Sequence, residues 1–408
     1  MSVDRRSALD ASLVAAESPT ATSDGDVLLT GATGFLGMEL LARYLEHTDR
    51  TVLALVRARD AREAQGRIRG VLELLFGRAD GHRDRVIAIP GDLEHDGLGV
   101  THADLETVTD RATEIVHCAA TVSFAAGLPE SRRINVEGTR NVLALARRCA
   151  QAGVLRRLTH VSTAYVAGTH EGEFREADLS VGQRFRNPYE RSKYEAEQLV
   201  RKDASKLPAV TIVRPSIVVG ESTTGWIPSF NVLYVPLRAF AQRKLRVLPA
   251  SLSAPVDVVP VDHVADAILH LTGADEEGLS TYHLVAGEQA TTVARLVELS
   301  ARHLRRRPPP VVPPAAYRAA YPLLLACSGG RRRAALKRAA PFLPYYTMRV
   351  RYRRDRAAQR LEAAGVRPPA LESYYGRLLD YALATNWSRQ TLPRPQAAAD
   401  RQLATTSV

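Results

Sequence analysis

Residues 27–37 read VLLTGATGFLG, an apolar run that ends in three glycines spaced G-x-x-G-x-x-G. A helical pattern starts immediately after, so the stretch specifies a strand, a tight turn and a helix in close succession. Gly31 allows the turn, Gly34 lets backbone N–H groups approach a pyrophosphate, and Gly37 lets helix and strand pack closely. Thr33, Phe35 and Leu36 complete the candidate cradle. The positive end of the helix dipole would face the phosphates. The glycine trio also suits an ordinary strand–turn–helix, so its surroundings must decide between the two.

Apolar runs at 26–31, 51–57, 85–92, 114–120, 156–164, 210–219 and 282–286 read as strands. Helical patterns at 37–47, 61–76, 132–151 and 189–205 separate several of them. Near-continuously apolar strands divided by helices predict a parallel sheet covered on both faces. The expected fold is therefore α/β, a doubly wound Rossmann sheet whose ligand crevice lies at the carboxyl ends of its strands. A smaller, mostly helical C-terminal region is expected to serve substrate binding or docking. The divisions read as a flexible tail over 1–25, the nucleotide-binding unit over 26–290, a basic helical region over 291–390 and a second tail over 391–408.

The second strand ends at Arg57, followed by Arg59 and, on the next helix, Arg67. A carboxylate at this place binds ribose hydroxyls, whereas a guanidinium suits a 2′-phosphate, so NADPH is the expected cofactor. Solvated surface arginines are the competing explanation. Asp92 and Leu93 follow the third strand, with Asp92 placed to receive an adenine amino group or to cap a turn.

The run THVSTAY at 159–165 is a strand ending in hydroxyls, and YERSK at 189–193 opens a helix after Asn187 and Pro188. Tyr189 and Lys193 are four residues apart and share a helical face. A free phenol, with a pKa near 10, is a poor acid–base group at neutral pH. A nearby ammonium is expected to lower that value toward the working range. His117 and His160 read as core histidines satisfied by hydrogen bonds, and no His/Cys cluster has metal-ligand spacing.

With TGATGFLG, GDL, HCAA, NVEGT, VSTAYVAG, YERSK and VRPSIVVG in order, the chain resembles the extended short-chain dehydrogenases/reductases. LVRA at 55–58, HCAATVSF at 117–124, RPSIVVGESTTGWIPSFN at 214–231 and DVVPVDHVADAIL at 257–269 are most similar to fatty acyl-CoA reductases and thioester reductase domains. The resemblance covers residues 26–286, and the C-terminal hundred residues match only loosely. It implies Thr163, Tyr189 and Lys193 as the catalytic trio, with Thr163 chosen over Ser162 and Lys193 also binding the nicotinamide ribose. It implies that Ala119 and Ala120 line the cofactor and that Pro215 and Ser216 pack beside the nicotinamide. The implied reaction is NADPH-dependent reduction of an acyl-CoA or carrier-protein thioester to an aldehyde, and the sequence does not decide whether a second hydride carries it on to an alcohol. A sugar epimerase/dehydratase or hydroxysteroid-type dehydrogenase is the alternative on the same scaffold, and a non-catalytic NADP-binding regulator a further one.

The chain carries a formal charge of +11, and residues 301–360 hold sixteen Arg or Lys against a single acid, Asp355. Such a patch suits an anionic carrier, coenzyme A phosphates or peripheral contact with an anionic membrane. It has no aromatic-interleaved reading motif, so specific nucleic-acid reading is not expected. The run RRRPPPVVPP at 305–314 reads as a rigid linker or polyproline segment after an amphipathic helix at 291–306, with helices continuing over 315–387. Cys118, Cys149 and Cys327 are too few for a disulfide framework and read as buried thiols. No apolar run reaches the ~20 residues of a membrane span, and no secretory h-region is apparent, so a cytoplasmic enzyme is expected.

Overall fold

The computed structural model describes residues 25–399 except Ala125, Asn231, Asp275 and Ser388. The expected N-terminal tail lies outside these residues apart from Gly25. Seven strands form the central sheet: β1 (Asp26–Thr30), β2 (Val52–Arg57), β3 (Val86–Gly91), β4 (Ala112–His117), β5 (Arg157–Val161), β6 (Ala209–Pro215) and β7 (Gly278–Leu284). Their order is β3-β2-β1-β4-β5-β6-β7, and every pairing is parallel. The winding direction reverses between β1 and β4, which places a crevice at their carboxyl ends.

Alternation along the strands divides the core between the two faces. Val27 and Leu29 of β1 pack with Leu40 and Leu41 of α1 (Phe35–His47), Ile68 of α2 (Ala61–Phe76) and Ile268 of α6 (Val261–Thr272). Leu28 faces the other way, in a cluster with Val108 of α3 (His102–Arg111), Val142 of α4 (Gly138–Gln151) and Val200 of α5 (Pro188–Asp203). Local chemistry sets the helix ends. The Asp60 side chain accepts from Glu63 N at 2.8 Å ahead of α2, and Asn187 accepts from Glu190 N at 2.9 Å ahead of α5. Pro188 occupies the first turn of α5, where a missing N–H costs nothing.

Several boundaries depart from the sequence reading. The run at 210–219 breaks at Ser216, because Ile217–Val219 departs from β6 and pairs in parallel with Val258–Pro260. The proline-rich run is not a free linker, since Val311–Val312 pairs with Leu248–Pro249. The region after it is not wholly helical. Val350–Tyr352 pairs in parallel with Gly172–Phe174, burying Val350 and Tyr352 while Arg351 faces outward. Three residues of period-two alternation are too short to register against a helical background. Nor does a tail begin at 391: Arg394 pairs with Glu46 and Glu221, at 3.1 and 3.0 Å. Tyr374, Tyr375, Leu378 and Trp387 join the same apolar cluster as β1, so the C-terminal region shares the core of the sheet. Cys327 is exposed rather than buried. No helix among the described residues is long and apolar enough to cross a membrane.

Candidate active site

At the end of β1, Gly31 adopts φ +80°, and a Cβ there would lie 2.8 Å from Ala119 N. A Cβ on Gly37 would lie 1.9 Å from Gly31 O, so helix and turn meet at a distance only glycine permits. Gly34 N donates to Gly31 O at 2.8 Å, and Gly34 caps α1 with no side chain occupying the free helical N–H groups. This open cradle, with backbone on both sides, fits a diphosphate. Phe35 and Leu36 start the helix, half-buried against the core.

Arg67 spans from the cradle to β2, donating to Arg57 O and, at 3.4 Å, to Thr33 Oγ1. The exposed Arg57 side chain has no hydrogen bond or ion pair among the described residues, whereas Arg59 is held by Glu63 at 2.9 Å. Asp92 uses Oδ1 to accept from Glu94 N at 3.0 Å, the turn-capping role that competed with adenine recognition. Leu93 packs beside Gly138 and accepts from Asn141 Nδ2 through its carbonyl.

Beyond β4, Ala119 N donates to Thr30 Oγ1 at 3.2 Å, tying the Ala119–Ala120 backbone to the glycine turn. Thr30 in turn contacts His117 Nδ1, and His117 Nε2 contacts Thr139 Oγ1. Thr139 donates its own proton to Asn135 O, so His117 carries its proton on Nε2 and accepts at Nδ1. Burial, then the charge of Lys193, push its pKa down to about 3. His160 departs from expectation: it is fully buried, yet neither ring nitrogen has a hydrogen-bond partner among the described residues.

The β5 strand end, α5 and the β6 end bring Thr163, Tyr189, Lys193, Pro215 and Ser216 together. Thr163 Oγ1 lies 3.4 Å from Pro215 O, and the Thr163 side chain hydrogen-bonds the Tyr189 phenol. Neighbouring Ser162 is turned away, donating to Glu197 Oε2 at 2.7 Å. Lys193 Nζ donates to Val161 O at 2.7 Å, and burial lowers its pKa to about 8 against the opposing charges of Cys118 and Glu197. The expectation that Lys193 lowers the phenol's pKa is not met. Burial pushes Tyr189 up to about 12, and the ammonium is directed at the strand carbonyl rather than the phenol.

Residues 29–268 match the family described as male sterility protein, whose domain binds NAD. The chain belongs to that family. It is 34% identical over 274 residues to an isonitrile lipopeptide synthase of Streptomyces coeruleorubidus, covering 67% of this chain and 18% of that protein. It is also 34% identical over 280 residues to fatty acyl-CoA reductase 1 of Mus musculus, covering 60% of this chain and 53% of that one. The chain thus spans about half or less of these relatives. Among solved structures, the terminal R domain of the myxalamid PKS-NRPS pathway superposes with a TM-score of 0.79 at 27% identity, covering 91% and 93% of the two chains. A thiolation-reductase di-domain from an archaeal non-ribosomal peptide synthetase shares the fold, with a TM-score of 0.71 at 22% identity over 90% and 76%. Membership and the cradle together make this a nicotinamide-dinucleotide site of the extended short-chain dehydrogenase/reductase type.

In this male sterility-family chain, two groups of residues around the site escaped the sequence reading. The first is a buried polar network. Arg214 makes a bidentate pair with Glu197, at 3.0 and 2.7 Å, both side chains fully buried. Arg214 also donates to His283 Nε2 at 3.0 Å, while His283 Nδ1 donates to Arg353 O. Burial opposes the Glu197 charge, yet Arg214 and Arg201 hold its pKa below the usual range. Removing one partner of such a pair costs about 3–5 kcal/mol, because the other charge stays buried. The network joins the strand end bearing Ser162 to the C-terminal region. Arg214 was visible only as the first residue of RPSIVVG.

The second group is aromatic. Phe124 lies 5.8 Å from the Tyr189 ring and stacks on Tyr345 at 5.5 Å. The Tyr345 hydroxyl donates to Glu190 Oε1 at 2.7 Å and accepts from Asn187 Nδ2. A residue from the C-terminal region thereby roofs the start of α5. The sequence showed 341–346 only as an apolar patch. In the same way, GESTTGW acts as an anchor, with Trp226 Nε1 donating to Leu392 O at 2.9 Å and Arg377 Nε to Ser222 O at 2.6 Å.

Proposed function

We propose that this chain reduces an acyl thioester with NADPH and releases the aldehyde. The observation that carries the reading is the convergence of Thr163, Tyr189 and Lys193 beside the glycine cradle, within a fold shared with a reductase domain. The names of the relatives, a lipopeptide synthase and a fatty acyl-CoA reductase, support thioester chemistry over sugar-nucleotide or steroid substrates.

When bound, the reduced nicotinamide supplies a hydride. The task of the chain is to hold the thioester carbonyl and manage its oxygen. Thr163 and Tyr189 present hydroxyls to that oxygen and stabilise the negative charge as it develops. A phenol held at about 12 is fully protonated at neutral pH, so Tyr189 serves as the proton donor. Once the carbon has gained hydrogen and the oxygen its proton, the hydroxyl gives that proton up as the C–S bond breaks, the sulfur leaves as thiol and an aldehyde remains. Lys193, charged below about pH 8, would anchor the nicotinamide ribose from the floor of the site. Arg57 and Arg67 would hold the 2′-phosphate, with Arg57 free and Arg67 already braced.

The thioester would arrive on coenzyme A or a carrier protein. Leu323 is 67% exposed on the helix Pro314–Ala326, which buries none of its residues, and Arg332 and Lys337 are exposed on the helix after it. Arg333 is committed to capping, donating to Leu325 O at 3.0 Å, and the side chains of Arg331 and Arg338 lie outside the described ones. Arg332 and Lys337 are therefore the residues whose neutralisation should raise the KM for a carrier-bound substrate.

The test is to incubate the protein with NADPH and matched acyl-CoA and acyl-pantetheine thioesters, trapping aldehyde for mass analysis. Thioester-dependent NADPH oxidation with stoichiometric aldehyde or alcohol supports the reading. Oxidation only with sugar nucleotides or sterols overturns it.

A further inference from the structure

Two cavities among the described residues are of opposite character. One, of about 40 Å³, lies among Leu233, Leu237, Phe240, Leu248, Val293 and Leu296, remote from the catalytic hydroxyls in chain and wholly apolar in its side-chain walls but for Ser300 and Tyr346. The other, of about 250 Å³, is bounded by Tyr165, Ile217, Val256, Asp257, Tyr345 and Tyr352. Tyr165 stands two residues beyond Thr163, and Ile217 two beyond Pro215, whose carbonyl Thr163 contacts. Tyr345 reaches the Tyr189 ring through Phe124. The larger cavity therefore lies beside the catalytic end of the sheet.

Its walls combine aromatic rings with two polar groups of unusual status. Asp257 is a buried carboxylate, held in place by Ala286 N and Gly287 N, each at 2.9 Å and each on a different oxygen. Burial raises its pKa against the pull of the Ser216 hydroxyl, these two N–H groups and the charge of Arg354. Tyr352 is 4% exposed, and its hydroxyl has no hydrogen-bond partner among the described residues. Its ring is already fixed edge-on against Tyr165 and His283, so packing alone would be served as well by phenylalanine. A buried hydroxyl without a partner is a standing cost to the fold.

We infer that this cavity takes an acyl chain bearing a hydrogen-bond donor, an amine or amide N–H, and reads it with Tyr352 and Asp257. The inference rests on the thioester-reductase reading above and adds the class of acyl group. A purely hydrocarbon chain would seal the carboxylate and hydroxyl away from water with nothing in return. A pocket built to bond a polar group discriminates strongly against analogues that lack it, because its own polar atoms are left unpaired.

The experiment compares kcat/KM for butanoyl-, hexanoyl- and octanoyl-CoA with their terminal amino and terminal hydroxy derivatives, in wild type and Tyr352→Phe. In wild type the amino compound of the best-fitting length should exceed its hydrocarbon counterpart by about ten-fold or more. In Tyr352→Phe that ratio should fall several-fold, while the melting temperature rises because the unpartnered hydroxyl is gone. Equal or better use of the hydrocarbon series by wild type overturns the inference and leaves thioester reduction standing. A preference for the hydroxy over the amino series overturns the choice of donor. A ratio unchanged in Tyr352→Phe overturns the assignment to this cavity. Failure of every thioester to oxidise NADPH overturns the inference together with the reading beneath it.

Discussion

The glycine turn and the roof over the catalytic helix are built on opposite principles. The turn is made by neighbours in sequence: Gly31, Gly34 and Gly37 lie within one turn and one helix start, and backbone geometry does the shaping. The roof is made by side chains from distant parts of the chain. Tyr345 meets Glu190 across 155 residues, and Glu176 accepts from Arg356 N and Ala357 N across 180 and 181. Cofactor handling thus depends on local backbone, which tolerates almost no substitution. Substrate handling depends on long-range packing, which can be retailored while the chemistry stays fixed.

The largest expected effect tests the rigidity of the turn. Gly37→Ala forces a methyl against Gly31 O, which should cost more than about 3 kcal/mol or abolish cofactor binding, as measured by thermal unfolding and dinucleotide titration. A variant that folds and binds normally would show the turn to be more compliant than its geometry implies. Next is the choice of dinucleotide. Arg57→Ala should weaken NADPH binding by about 1.5–3 kcal/mol and leave NADH nearly unchanged, as read by calorimetry. Equal losses for both cofactors would remove Arg57 from the 2′-phosphate site.

The third prediction concerns pH. Lys193 is lowered from the usual 10.5 to about 8, so its charged form prevails below pH 8 and is lost above it. Turnover should fall as pH rises through 8, long before the Tyr189 phenol ionises near 12. Stability should respond in the opposite sense. Between pH 8 and 10.5 the unfolded chain holds the Lys193 proton more firmly, so this group makes folding more favourable as pH rises. A rate profile flat through pH 8 to 10 would detach Lys193 from the reaction. The smallest effect is the counterpart of the first: Gly70, inside α2 with nothing within 4 Å of its missing Cβ, should gain about 0.5–1 kcal/mol on replacement by alanine. Loss of stability there would mean that α2 packs more tightly than its open surroundings suggest.

The same contrast explains what was legible in the sequence. Six of the seven sheet strands lie within a residue or two of their apolar runs or inside them, because period, length and flanking glycines report local structure directly. β7 instead starts four residues ahead of its run, at Gly278, where Leu279 lies exposed at the sheet edge. The positions of Thr163, Tyr189 and Lys193 were readable from strand end and helix spacing. Their electrostatics were not. The direction of Lys193 Nζ toward Val161 O, the unpartnered His160 and the rise of the phenol all depend on burial created by other elements. Arg214 and Phe124 stood inside recognisable motifs with no role attached, and Glu197 and Tyr345 in none, since each acquires its role only through partners on other elements.

The central claim is that Tyr189 delivers a proton to the oxygen of a thioester carbonyl, and it is tested most directly by one substitution in one assay. Tyr189→Phe keeps the ring against Phe124 and removes only the hydroxyl that Thr163 contacts. With a thioester that wild type reduces, turnover should fall about 10²–10⁴-fold while the Kd for NADPH changes less than about two-fold. Thioester-dependent NADPH oxidation at near wild-type rate in that variant would contradict the account.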